Sequence, residues 1–206
     1  MDLRSQLAPD TKQHQRRSIR LKEYDYSQEG AYFVTVCTQK HYCLFGKIVD
    51  GAMLLNQFGE IVHNEWMRTA IARPNAAIDS FIVMPNHLHG IIIINEYNIR
   101  RGDPAGRPYT PMPRGPSSNS IGAMVGQFKS LATKRVHALR GTPGERVWQR
   151  NYYEHVIRND ADLNDIRQYI LDNPVKWDTE EENSTRQLPE LSYDNMVEAR
   201  HAVPLR

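Results

Sequence analysis

Four isoleucines in a row, Ile91–Ile94, follow Met84-Pro85-Asn86-His87-Leu88-His89-Gly90. β-Branched side chains are stiff at χ1 and suit a pleated surface, so residues 87–95 read as a buried strand. Pro85-Asn86 is a tight connection, and "AIDSFIVM" (77–84) reads as the strand before it. Side chains alternate faces along a strand, so His87 and His89 point the same way. A chain that sets two imidazoles at the mouth of a buried strand must fold around them.

The remaining elements follow from local patterns. "AYFVTVCTQ" (31–39) is a β-branched and aromatic strand. Residues 43–56 hold two short apolar runs around Asp50-Gly51, a hairpin signal. Asn56 is placed to cap a helix over 57–72, with Ile61, Trp66 and Ile71 on its apolar side and Pro74 beyond its end. Met124, Phe128, Leu131, Ala132 and Val136 recur at helical spacing within 120–139. Residues 145–157 read as a strand. Asn159 with Asp162 starts a last helix that is expected to end around Asn173-Pro174.

Without the hairpin and the last helix the order is βαββαβ. The expected fold is therefore α+β and ferredoxin-like: an antiparallel sheet with helices on one face, an inserted hairpin and a C-terminal helix. Three units are expected: a basic arm over 1–22, one domain over 23–177 and an acidic tail over 178–206. Residues 97–120, with five Pro, three Gly and three Ser, read as an exposed mobile loop.

Composition narrows the function classes. Apolar residues make up 40% and charged residues 24%, an ordinary soluble balance. Apolar runs such as Gly90–Ile94 are far too short for a membrane span, and the polar N-terminus has no secretory core. Cys37 and Cys43 then read as reduced thiols of a cytoplasmic protein. Net charge is only +2, but residues 1–24 carry six Lys/Arg against three acids, and residues 121–158 seven against two. Tyr109, Phe128, Trp148, Tyr152 and Tyr153 are interleaved with these bases. That mixture suits single-stranded nucleic acid, which offers phosphates and stackable bases; a solvated basic face is the plainer alternative.

The His pair has two readings, half of a divalent-metal site or two hydrogen-bonded histidines at a strand start. A third ligand must come from elsewhere, and the last helix offers one. Leu163, Ile166 and Ile170 form its apolar stripe, and Tyr169 and Asn173, four apart, share one flank. The Asn173 amide beside that stripe needs a partner, either a metal ion or a backbone amide. Two imidazoles and an amide oxygen with open positions suit Mg²⁺ or Mn²⁺ handling phosphate, although imidazoles alone favour Zn²⁺. A phenol with a pKa of about 10 is a poor nucleophile unaided, and a neighbouring cation favours its phenolate. Tyr169 is thus a candidate nucleophile, or else an amphipathic tyrosine at the core edge. Tyr152 and Tyr153 are rivals without a ligand-type residue at helical spacing. His155 is a packing or hydrogen-bonding residue near the site.

Four stretches, "RRSIRLKEYDYSQEGAYFVTVCTQ", "MPNHLHGIIII", "VWQRNYYEHVIRN" and "IRQYILDNPVKW", occur in order over roughly residues 16–177. Together they resemble the HUH-type single-tyrosine transposases, and more closely the REP-associated tyrosine transposase branch. The resemblance implies His87, His89 and Asn173 as metal ligands and Tyr169 as the catalytic nucleophile. It further implies Mg²⁺ or Mn²⁺, single-stranded DNA hairpins from palindromic repeats, and a 5′-phosphotyrosine intermediate with a free 3′-OH. The basic N-terminal region would contact a short guide sequence beside the hairpin. Expected DNA contacts are Arg16, Arg17, Arg20 and Lys22 in the arm, and Lys129, Lys134, Arg150 and Tyr153 in the second basic zone. Loop 97–120 and the acidic tail have no counterpart in the resemblance.

Two function classes follow. One is a transposase: a metal-dependent endonuclease and strand transferase on hairpin DNA, monomer or homodimer, with no membrane partner. The other is a domesticated protein that binds such hairpins without cutting them. A zinc hydrolase is a weaker third, because no third His or acid accompanies the strand.

Overall fold

The computed structural model describes residues 24–95, 119–141 and 143–177. The basic arm, nearly all of loop 97–120 and the acidic tail lie outside the described residues, and with them Arg16, Arg17, Arg20 and Lys22. The elements run β1 (Gly30–Cys37), β2 (Gly46–Val49), β3 (Ala52–Leu55), α1 (Gln57–Ile71), β4 (Ala76–Val83), β5 (His87–Ile94), α2 (Ile121–Arg140), β6 (Tyr153–Ile157) and α3 (Asp160–Lys176).

One four-stranded sheet has the order β4-β5-β1-β6, antiparallel throughout. This is the ferredoxin-like order expected from βαββαβ. β2 and β3 form a separate hairpin. Asp50 (φ 50°) and Gly51 (φ 71°) both take left-handed backbone at its turn, which matches the strand twist and explains the Asp-Gly pair.

Local chemistry sets the helix ends. The Asn56 side chain accepts from the N–H groups of Phe58 (2.9 Å) and Gly59 (3.0 Å), and α1 stops at Ile71, ahead of Pro74. Asn159 accepts from Asp162 N–H at 2.9 Å and starts α3. Two boundaries differ from the sequence reading. α3 does not end at Asn173-Pro174 but continues through Pro174 to Lys176. A proline in the last turn forfeits a single helix bond, and the buried Pro174 and Trp177 side chains tie that turn down. The expected strand 145–157 shortens to Tyr153–Ile157. Its first part makes only a bridge, Trp148 to Thr38, because the buried Trp148 ring packs on Phe45 (5.2 Å) and Phe128 (5.5 Å).

The sheet is covered on both faces. Tyr32, Val34, Val36, Leu88, Ile92 and Ile94 pack against Phe58, Val62 and Trp66 of α1 and Met124, Val125 and Phe128 of α2. Gly90 makes room for this layer: a Cβ there would lie 2.6 Å from the Trp66 ring. On the opposite face Phe33, Ile91 and Ile157 receive Ile170 of α3, flanked by Leu163 and Ile166. Burying the Ile170 side chain contributes about 1.5–3 kcal/mol. Arg167 adds a fork of hydrogen bonds to Asp79, which leaves β4 at an irregularity between Ile78 and Phe81. The apolar anchor and the ionic fork together fix where α3 lies on the sheet.

Candidate active site

The register carries the site. His87 and His89 of β5 stand opposite Cys37 and Thr35 of β1, so both imidazoles project on the α3 face of the sheet. Their Nε2 atoms lie 2.9 Å apart. His87 Nδ1 lies 2.6 Å from Asn86 Oδ1, and His89 Nδ1 lies 2.8 Å from Thr35 Oγ1. The His89 ring stacks on Phe33 at 5.4 Å.

α3 brings the rest. Tyr169 is 44% exposed, its ring is 5.2 Å from that of His89, and its hydroxyl is 3.3 Å from His89 Nε2. One turn later the Asn173 side chain comes near enough to His87 to act on its proton affinity. Trp177 closes this end, with its ring 5.9 Å from that of His87. Ile170 points into the sheet, so Tyr169 and Asn173 share the flank beside it, as their spacing of four requires.

Electrostatics keep both imidazoles neutral. Burial, with the nearby His41 charge adding, pushes His87 down to about 4, and only the Asn173 side chain, which favours the protonated ring, works the other way. Burial first, then His87, push His89 well below its usual value. Neutral rings have one bare nitrogen each, the form that accepts a hydrogen bond or ligates a metal. The donor set, two imidazole nitrogens converging beside one carboxamide, fits a divalent cation with coordination positions left open. Among the described residues no group of three or more His, Cys, Asp or Glu gathers, so the closed zinc arrangement has no counterpart there.

The other candidates divide. Tyr153 stands opposite Thr35 on the site face, 43% exposed, with its ring 6.2 Å from Phe33. Its neighbour Tyr152 turns to the other side, packs on the α1–α2 core and donates to Glu154 at 2.7 Å. Lys134 and Arg150 are exposed. Lys129 instead turns inward: its Nζ donates to the carbonyl oxygens of Gln149 (2.5 Å) and Arg150 (3.2 Å), and burial lowers its pKa. It braces the segment that bridges β1. His155 bonds Asp162 at 3.2 Å on the same face, beyond hydrogen-bond reach of the His pair. Asn86, Thr35 and Phe33 were not singled out by the sequence. Asn86 carries a signal, since it directly precedes His87; Thr35 becomes visible only through strand register.

No protein-family model matches the chain. The architecture is that of a solved REP-associated tyrosine transposase bound to a REP hairpin, with a TM-score of 0.50 and 23% identity over 76% of this chain and 73% of that one. The chain thus has the fold of that transposase. By sequence it belongs to one family with an uncharacterized protein of Haemophilus influenzae, 41% identical over 169 residues, which span 82% of this chain and 93% of the relative. Among the described residues no helix is long and apolar enough to cross a membrane.

Proposed function

We propose that this chain is a transposase-like nuclease that cleaves and rejoins single-stranded hairpin DNA through Tyr169. The observation that carries the reading is the Tyr169 hydroxyl 3.3 Å from the convergent His87–His89 pair, on a half-exposed ring that a phosphate can reach. The transposase fold, and the REP hairpin bound by the solved neighbour, favour hairpin DNA as substrate.

In the proposed step the Tyr169 oxygen attacks a backbone phosphorus. The Tyr–O–P bond forms and the P–O3′ bond breaks. The phenol gives up its proton and the departing 3′ oxygen takes one up, so the products are a 5′-phosphotyrosine and a free 3′-OH. Attack by a 3′-OH on the same phosphorus reverses the step and joins strands. His87, His89 and Asn173 would hold Mg²⁺ or Mn²⁺, which when bound neutralises phosphate charge and favours phenolate. Phe33 and Ile170 keep the tyrosine flank of α3 over the His pair. Tyr153, half-exposed on the same face, would stack a neighbouring base.

The test is incubation of the full chain with labelled single-stranded hairpin DNA and Mn²⁺, followed by a denaturing gel. A free 3′-OH fragment and a protein-linked fragment support the reading. Hairpin binding without either product returns the chain to the class of binding proteins that no longer cut.

A further inference from the structure

The two histidines have chemically different partners on their Nδ1 atoms. We infer that Asn86 presets the His87 ring with its hydrogen on Nδ1, whereas Thr35 lets His89 change tautomer when a divalent cation binds; the second half rests on the metal-site reading above.

Asn86 is buried and held at both ends. Its backbone carbonyl accepts from Thr38 N–H (2.8 Å) and Thr38 Oγ1 (2.9 Å). Its Nδ2 donates to the His41 carbonyl at 3.2 Å. Turning the amide over would set Oδ1 against that carbonyl, two acceptors facing each other. Oδ1 therefore faces His87 Nδ1, at 2.6 Å. A carboxamide oxygen can only accept, so Nδ1 must carry the hydrogen. A neutral His87 then has a bare Nε2, aimed at His89 Nε2 2.9 Å away. The loop that supplies the His41 carbonyl pays a backbone cost, with Lys40 and His41 both at φ 56°.

His89 is not locked in this way. Thr35 Oγ1, 2.8 Å from its Nδ1, is a hydroxyl that donates or accepts. Without a cation, two bare nitrogens cannot face each other at 2.9 Å, so His89 Nε2–H donates to His87 and Thr35 donates to Nδ1. With a cation, His89 needs a bare Nε2. Its single hydrogen then sits on Nδ1, the Thr35 hydroxyl rotates to accept it, and no net proton is lost. Asn86 and Thr35 are thus positioning residues that act through the imidazoles.

The experiment is a long-range proton–nitrogen correlation of the histidine rings in the full chain, DNA-free, before and after adding Mg²⁺ alone. His87 is expected as the Nδ1–H tautomer throughout, and His89 is expected to pass from Nε2–H to Nδ1–H. Asn86→Ala should release His87 into mixed tautomers and weaken Mg²⁺ binding by about 10–100-fold. Asn86→Asp, which keeps the acceptor, should retain Nδ1–H, and Thr35→Val should weaken Mg²⁺ binding without touching the His87 tautomer. Wild-type His87 with its hydrogen on Nε2, pointing to Asn173 or His89, overturns the preset whether or not Asn86→Ala folds. Unchanged ring nitrogens at both histidines on adding Mg²⁺ overturn the metal-site reading and the His89 switch with it, while the ion-free spectrum alone decides His87.

Discussion

The Tyr169 hydroxyl reaches to 3.3 Å from Nε2 of His89, a residue 80 positions earlier in the chain. Neither residue is brought there by its own element. β5 presents His89 because β1 pins its register, and α3 presents Tyr169 because Ile170 and Arg167 dock the helix on the sheet.

That docking makes the first prediction. Ile170→Ala should cost about 2–5 kcal/mol of stability in urea unfolding, because it leaves a cavity against Phe33 and Ile91. Cleavage should fall further than the loss of folded protein explains, since the tyrosine flank loses its anchor. Cleavage that tracks the folded fraction alone would show that α3 is positioned by something else.

The second concerns the His pair. His87→Ala or His89→Ala should abolish cleavage in Mg²⁺ or Mn²⁺ while largely sparing hairpin binding, because phosphate contacts by basic residues supply most of the affinity. Filter binding and gel cleavage on the same preparations separate the two effects. Wild-type cleavage by either variant contradicts the metal-site proposal.

A third follows from burial. His87 is held at about 4 in the folded state against an ordinary 6.5, so the unfolded chain binds more protons between these values. Stability of the metal-free protein should therefore fall as pH drops from about 6.5 to about 4, with His87 accounting for up to about 3 kcal/mol. His89, shifted the same way, adds to the slope. Chelator-treated His87→Gln should lose its share of that slope; parallel curves for the two proteins would contradict the assignment.

The fourth separates the arm from the domain. Deleting residues 1–22 should weaken discrimination among sequences flanking the hairpin more than it weakens general binding, and binding should weaken as salt rises. Equal discrimination by the truncated and full chains would remove the arm as a reader.

Much of this was legible in the sequence where the signals are local. Asp50-Gly51 marked the hairpin, Asn56 and Asn159 marked helix starts, and the isoleucine run marked β5. The spacing of four between Tyr169 and Asn173 marked a shared flank. What escaped depended on contacts distant in the chain. Pro174 looked like a stop, but buried Pro174 and Trp177 hold the last turn of α3 together. Residues 145–157 looked like one strand, but Trp148 leaves the ladder to reach Phe45 and Phe128. The reach of Lys129 to the Gln149 and Arg150 carbonyls is another contact that no local pattern marks. The partners of the imidazoles, Asn86 fixed by His41 and Thr35 across the sheet, follow from loop geometry and register, which no periodicity encodes.

The central claim is that Tyr169 bonds to DNA, and a peptide map of the covalent adduct tests it most directly. Wild-type protein trapped on hairpin DNA with Mn²⁺ should yield one nucleotide-bearing peptide, from α3, containing Tyr169. Tyr169→Phe keeps the ring against Phe33 and His89 and removes only the hydroxyl, so fold and hairpin binding should persist while the adduct disappears. Tyr152→Phe and Tyr153→Phe should still form it. A nucleotide mapped to Tyr152 or Tyr153 would contradict the account and leave α3 a structural helix.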